Sequence, residues 1–286
     1  MNQYAVIGNP VSHSLSPDLH NWVFNRLKLN AEYNRFQVDK DAISHIVEKL
    51  RDGKLDGINV TLPHKEKIIP FLDNVDIRAR HINAVNCVVR DQNRLTGYNT
   101  DWYGFTMLLK QHQITITENN FILLGAGGVA RSVLYTLIQK GVKIVTIVNR
   151  TPEKSESLID SMASIGNNVS LKTVTYEKLE DIIRQYGVIV NCTPLGMTPN
   201  TGKSPLRAHL IRKDQILIDT IYTPPETQFL KDGKTAGTQT VGGLDMFIYQ
   251  GLASLDLWFD NTISQRINIE ELRTYLETQL SIGSTL

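Results

Sequence analysis

Apolar residues recur along the first hundred positions in two rhythms, and each rhythm predicts an element. Gln3–Ile7 reads as a strand, and further strands are expected near Tyr33–Val38 and over Gly57–Val60. Between them, Leu19, Trp22, Val23 and Leu27 fall on one face of a helix predicted over 18–27, with Ser16 placed to cap it and Pro17 suited to its first turn. Ile43, Ile46, Val47 and Leu50 recur at i, i+3, i+4 and i+7, the spacing of a second helical face, and Gly53 ends that run. Ala84–Val89, the turn residues Asp91–Asn93 and Arg94–Tyr98 predict a hairpin. Alternating strands and helices build a sheet covered by helices.

Beyond Asn99 the pattern changes. Thr100 or Asp101 is placed to cap a helix carrying Phe105, Leu108 and Leu109, and the polar stretch Thr115–Asn120 reads as a surface connection where the chain could pass between domains. Phe121–Leu124 is a buried strand, Gly125–Gly128 a glycine turn, and Ala130, Val133, Leu134, Leu137 and Ile138 a helical stripe closed by Gly141. Val142–Val148 completes a βαβ unit. Further strands are expected at 171–175, 188–191, 216–219 and 238–241, with helices over 153–163 and 176–185. The tail is helical, with Ile248, Leu252, Leu255 and Phe259 on one face and Ile269, Leu272, Leu276 and Leu280 on another, while 281–286 is expected to fray.

Composition narrows the function classes. The 286 residues carry 30 Lys and Arg against 29 Asp and Glu, so no bulk charge steers the chain to nucleic acid or a membrane surface. Two cysteines, Cys87 and Cys192, provide no disulfide framework, and no metal-ligand spacing occurs. The start lacks a basic segment followed by an apolar one, and no apolar run approaches a membrane span, so a cytoplasmic protein is expected; the sequence does not distinguish a monomer from a homodimer.

Gly125, Gly127 and Ala130 form G-x-G-x-x-A between a strand and a helix. Gly125 suits the tight turn, Gly127 lets backbone approach a pyrophosphate, and small Ala130 permits close helix–sheet packing. The N–H groups of Gly128, Val129 and Ala130, following Ala126 and Gly127, face an anion. At the end of the next strand an NAD site usually places an acid. Here Asn149, Arg150 and Thr151 stand there with Lys154 close behind, a set that favours the 2′-phosphate of NADP.

A dinucleotide fold does not name a reaction, so chemistry must come from elsewhere in the chain. Ser12, Ser14 and Ser16 place hydroxyls before a helix start, where a carboxylate would be held, although capping explains Ser16 equally well. Asn59–Lys65 supplies an amide, the Thr61 hydroxyl and the Lys65 amine in a Pro-stiffened turn at a strand end. Lys65 reads as a proton donor or as a solvated lysine, and His64 as a turn or surface residue. Asn86 lies within an apolar strand and needs a partner. Asp101 reads evenly as an N-cap or a catalytic carboxylate.

Taken in order, Ala5–Pro10, Ser14–Ser16, Asn59–Lys65, Ala84–Asn86, Asn99–Asp101, Gly125–Gly128, Asn149–Thr151, Asn191–Met197 and Gly243–Phe247 resemble the shikimate dehydrogenase family over nearly the whole chain. The resemblance implies an α/β protein of two domains, a substrate domain over 1–102 and 245–286 and an inserted Rossmann-type NADP-binding domain over 103–244 with a mostly parallel sheet. It implies NADP-linked reduction of 3-dehydroshikimate to shikimate on the route to aromatic amino acids. Carried over by motif, Ser14 and Ser16 would bind the substrate carboxylate, and Thr61, Asn86, Tyr222 and Gln250 would orient the substrate. Lys65 and Asp101 would form the catalytic pair, the proton being unassigned between them. Asn149, Arg150, Thr151 and Lys154 would surround the adenosine phosphate, and Gly243 would lie along the nicotinamide. Asn83 and Cys87 stand where the family has glycine and threonine, and Trp102 follows Asp101 where the family has glycine, which bears on pocket volume and substrate preference. The rivals are a quinate/shikimate dehydrogenase using NAD or NADP, and a catalytically silent NADP- or metabolite-binding regulator.

Overall fold

The computed structural model describes residues 1–39, 41–166, 168–259 and 262–283. The chain forms two compact units, Met1–Gly104 with Ile248–Leu286, and Phe105–Phe247.

The first unit begins with β1 (Asn2–Gly8), α1 (Ser16–Leu27), β2 (Ala31–Gln37), α2 (Ile43–Arg51) and β3 (Gly57–Val60), then β4 (Asn74–Val75), α3 (Ile77–Ile82), β5 (Cys87–Asp91) and β6 (Arg94–Tyr98). Its sheet has the order β2-β1-β3-β5-β6-β4, with β1 parallel to β2 and β3, and β5 antiparallel to β3 and β6. Burial on both faces explains why residues 57–60 of the central β3 are apolar but for Asn59. Ile43, Ile46, Val47 and Leu50 of α2 pack on Ala5, Ile7, Ile58 and Val60, as their spacing predicts.

The buried face of α1 differs from its expected one. Leu19, His20, Val23 and Phe24 face inward, while Trp22 and Leu27 are only half-buried. The stripe turns because His20 stacks on Tyr33 with ring centroids 4.2 Å apart and Phe24 meets Tyr4 at 5.8 Å, so aromatic packing fixes the helix rotation. Nor does Ser16 cap α1. It is the first helical residue, and its N–H donates to Ser14 Oγ at 3.2 Å.

The chain passes between the units within α4 (Asp101–Gln111). The second unit holds β7 (Phe121–Leu124), α5 (Gly128–Gln139), β8 (Ile144–Val148), α6 (Pro152–Met162), β9 (Ser170–Val174), α7 (Leu179–Ile182), β10 (Val188–Asn191), β11 (Ile216–Asp219), α8 (Gln228–Ala236) and β12 (Gln239–Val241). Its sheet order is β12-β11-β10-β7-β8-β9 and every neighbouring pair runs parallel, the doubly wound arrangement whose strand order reverses between β7 and β10. Thr115–Asn120 lies inside this unit, ahead of β7. The single helix expected over 176–185 is instead α7 flanked by two short 3-10 turns.

The chain returns to the first unit within α9 (Leu244–Trp258) and ends in α10 (Ile269–Gly283). Phe259 lies one residue past the end of α9 and is half-buried. The end is helical beyond the point where fraying is expected to begin: α10 continues to Gly283 with Leu280 buried, and 284–286 lie outside the described residues.

Candidate active site

In the first unit, strand ends and helix starts bring four of the expected residues to hydrogen-bond distance. Lys65 follows β3, and its Nζ donates to Asp101 Oδ2 at 2.5 Å, the two side chains being only 11% and 7% exposed. This lysine is paired and largely buried, not solvated. Asn86 shares its two amide N–H groups among Asp101 Oδ1 at 2.9 Å, Thr100 Oγ1 at 2.9 Å and Gln250 Oε1 at 3.2 Å. Asn86 precedes β5 rather than lying within a strand, yet its N–H donates to Tyr98 O at 3.0 Å and its C=O accepts from Val60 N at 2.8 Å. Its backbone is therefore held on both sides, which leaves the amide as a fixed fork.

Asn99 resolves the choice at α4. Its Oδ1 accepts from Asp101 N at 3.1 Å and Trp102 N at 3.4 Å, so neither Thr100 nor Asp101 spends its side chain on capping. A carboxylate at the first helical position also faces the positive end of the helix dipole.

The surface reading of His64 is corrected. His64 is fully buried, its Nε2 lying 2.7 Å from Val38 O, because the turn after β3 folds it inward. Asn83, where the resembling family has glycine, adopts φ 54 and ψ 41 as the C-cap of α3; a left-handed conformation favours glycine, and asparagine is the side chain that best tolerates it. Cys87 is fully buried, and burial pushes its thiol up to about 12, so it is inert. The Trp102 ring packs against the Arg78 guanidinium at 5.1 Å.

Ser14 Oγ donates to Ser16 Oγ at 3.1 Å beside the start of α1, with Ser14 half-buried and Ser16 buried. Thr61 is half-buried, and its methyl fills the space that a side chain at residue 8 would need, which accounts for Gly8. Two residues bind these groups together: Asn59, whose amide the end of β3 is expected to supply, and Ser254, which sequence reasoning missed. Asn59 Nδ2 donates to Asn86 O at 3.1 Å and to Ser254 Oγ at 2.9 Å, while Asn59 Oδ1 accepts from Tyr33 Oη at 2.7 Å. His20 also bonds Asn59, and burial holds its imidazole down to about 3, so it stays neutral. Ser254 follows Gln250 by four residues on α9, a spacing that could have revealed it.

The second unit carries the remaining expected residues. Gly125 has φ +105, and a Cβ there would stand 3.0 Å from Thr193 Cγ2 and 3.1 Å from Cys192 O, so the turn requires glycine. Gly127 is different. Its φ of −90 suits any residue and a Cβ would meet nothing within 4 Å, so open space lies beside the turn between Ala126 and Gly128. No side chain caps α5, whose first N–H groups, at Gly128, Val129 and Ala130, therefore remain available to a ligand; Ala130 itself is fully buried. At the end of β8, Asn149 Nδ2 donates to Thr151 O at 3.0 Å, and Arg150 and Lys154 are exposed. These features fit a dinucleotide with an extra phosphate: an anion-ready helix start, a turn with room for a ligand, and two cations where an acid would repel it.

Tyr222 follows β11 and its ring lies 4.3 Å from that of Phe247. Gly243 packs on the backbone of Thr220 and Ile221, a contact that any Cβ would block. Asp219, also missed, ends β11 with its carboxylate buried. It accepts from Asn191 Nδ2 at 3.0 Å, Ile221 N at 3.0 Å and Thr227 Oγ1 at 2.6 Å, and burial pushes it up to about 6.

The doubly wound sheet and its glycine turn define a dinucleotide-binding α/β protein. A family model described as the shikimate dehydrogenase substrate binding domain matches residues 6–88, and one described as shikimate / quinate 5-dehydrogenase matches 107–224. A shikimate dehydrogenase (NADP(+)) of Bacillus cytotoxicus is 39% identical over 256 residues, 89% of this chain and 91% of the relative. Among solved structures, a shikimate dehydrogenase in complex with NADP+ superposes with a TM-score of 0.87 at 32% identity, over 98% of this chain and 96% of the other. The shikimate 5-dehydrogenase of Thermus thermophilus in complex with NADP(H) and shikimate gives 0.84 at 32% identity, over 97% and 99%. The chain belongs to the shikimate dehydrogenase family.

Proposed function

We propose that this chain is an NADP-dependent oxidoreductase that interconverts 3-dehydroshikimate and shikimate on the route to aromatic amino acids. The observation that carries the reading is the buried pair Lys65–Asp101, fixed on its second carboxylate oxygen by Asn86, in a chain of this family. NADP, when bound, supplies or takes up the hydride. Lys65 presents an ammonium to the substrate oxygen, opposing the negative charge that grows there as the ketone is reduced, and exchanges a proton with it. Asp101 holds the lysine and the substrate hydroxyl in register.

Ser14 and Ser16, beside the N-terminus of α1, receive the substrate carboxylate. Thr61, Asn86, Gln250 and Tyr222 orient the ring. In the second unit, the turn Gly125–Ala130 holds the pyrophosphate, and Asn149, Arg150, Thr151 and Lys154 hold the 2′-phosphate. Gly243 lies along the nicotinamide. Two unpaired thiols suit a reducing compartment, and we place the activity in the cytoplasm.

The test follows nicotinamide absorbance with purified chain, shikimate and NADP, repeated with quinate and with NAD. Turnover highest with shikimate and NADP supports the reading. Faster quinate oxidation with NAD moves the assignment to the second substrate in the matching family's description. NADP binding with no shikimate-dependent signal replaces it with the silent regulator.

A further inference from the structure

Three segments that are far apart in sequence meet at one hydroxyl of the first unit. Ser254 is fully buried on α9, and its Oγ donates to Gln250 O at 3.0 Å. That bond uses its one proton, so its lone pairs are left to accept, and Asn59 Nδ2 donates to it at 2.9 Å. Thr100 Oγ1 lies 3.3 Å away.

The protons show how these contacts reach Asp101. Thr100 Oγ1 accepts from Asn86 Nδ2 at 2.9 Å, so its own proton goes outward, to Ser254 Oγ at 3.3 Å or Asn86 Oδ1 at 3.3 Å. Asn86 Oδ1 already receives the Thr100 N–H at 2.6 Å, and Ser254 offers the other acceptor. On the opposite side, Asn59 uses one amide hydrogen on Asn86 O and the other on Ser254. Asn86 is thus gripped at its carbonyl through Asn59 and at its amide through Thr100, and Ser254 Oγ lies within hydrogen-bond distance of both gripping residues, 2.9 Å from Asn59 Nδ2 and 3.3 Å from Thr100 Oγ1.

We propose that Ser254 is a positioning residue for the Lys65–Asp101 pair, acting through Asn59 and Thr100 on Asn86, whose amide sets the rotation of the Asp101 carboxylate. What the pair accomplishes rests on the dehydrogenase reading; the positioning itself does not. A hydroxyl with only a packing role would affect stability and leave the lysine as it was.

Ser254→Ala in the full chain should lower kcat for shikimate oxidation roughly 10- to 100-fold, as expected when a catalytic group is misplaced by a fraction of an ångström, and leave KM for NADP unchanged. In a Lys65→Ala background the same substitution should reduce kcat no further, because the Lys65–Asp101 pair that it positions is already broken. The acylation rate of Lys65 with trace acetic anhydride, read by mass spectrometry, should rise severalfold as the amine loses its fixed carboxylate. Thr100→Val removes the linking hydroxyl at equal volume, should reproduce all three effects, and carries the test if Ser254→Ala does not fold. Equal fold losses in both backgrounds, or unchanged kcat and labelling, overturn the proposal. A wild-type chain inactive on shikimate overturns the dehydrogenase reading instead, and Lys65 labelling then decides the positioning by itself.

Discussion

Asn99 receives the first two N–H groups of α4 on its Oδ1, and Asp101, which begins that helix, therefore has both carboxylate oxygens free for Lys65 and Asn86. Capping and catalysis compete for the same short polar side chains at a helix start, and here neighbouring residues divide the tasks. Asn99→Ala should cost about 1 kcal/mol of stability, the usual loss for a cap. It should also lower kcat, since the freed N–H groups can draw the Asp101 carboxylate back onto the helix. Denaturant melts and steady-state rates on the same preparation check both effects; a stability loss with full turnover would separate the cap from the site.

Lys65→Ala and Asp101→Asn are expected to lower kcat by roughly 10²- to 10⁴-fold, the range for loss of general acid–base help, with smaller effects on KM for shikimate. The pair is coupled at 2.5 Å, so the double variant should be little slower than the worse single variant. Multiplying losses would mean that the two residues act separately.

Much of this arrangement was legible in sequence, and the remainder has physical reasons for being hidden. The strands 57–60, 188–191 and 216–219 have the bounds predicted for them, since they are almost wholly buried and apolar but for Asn59, Asn191 and Asp219. Helix α8 gave no clear signal because Gly233 interrupts it, and that glycine is required where a Cβ would stand 2.7 Å from Leu217 Cδ1. Helix α3 is six residues long with two arginines and a histidine, too short and too polar for a stripe. Lys65, Asn86, Asp101 and Gln250 could be nominated from their motifs. The contacts that join them through Asn59 and Ser254 span 195 positions and follow from topology, not from local pattern.

Asp219 predicts a pH dependence of stability with a definite sign. Burial raises its carboxyl from an ordinary 3.8 to about 6, so the folded state holds the proton more tightly than the unfolded state. Its contribution is fully present below about pH 4 and is lost as pH rises through about 6. A rise of that size corresponds to about 3 kcal/mol. Asp219→Asn keeps an oxygen for Asn191 and Ile221 but does not titrate, so its stability relative to wild type should increase between pH 4 and 7 by about that amount. Urea unfolding at both pH values measures it, and a flat difference would place the carboxyl near its ordinary value.

The two glycines of the β7–α5 turn should respond oppositely to alanine. Gly125→Ala forces a Cβ onto φ +105 and against Thr193 and Cys192, a strain worth about 1–3 kcal/mol, and should be seen as lost thermal stability. Gly127→Ala meets nothing and should melt like wild type, yet place a methyl in the open space beside the helix start. Calorimetric titration with NADP should then show affinity reduced at least tenfold at unchanged Tm. Normal NADP binding by Gly127→Ala would move the cofactor away from this turn.

Cofactor choice depends on charge at the end of β8. Arg150 and Lys154 are exposed there, with Asn149 bonded to Thr151 and no acid at the strand end. A 2′-phosphate gains hydrogen bonds to charged groups worth about 1.5–3 kcal/mol, whereas a 2′-hydroxyl gains little from the same side chains. Arg150→Ala should therefore raise KM for NADP by roughly 10- to 100-fold, as that energy implies, and leave KM for NAD nearly unchanged. Exposed cations are screened by salt, so the preference for NADP over NAD in the wild-type chain should also shrink between low and high ionic strength. Equal effects of Arg150→Ala on both cofactors would mean that the guanidinium holds adenine rather than the phosphate.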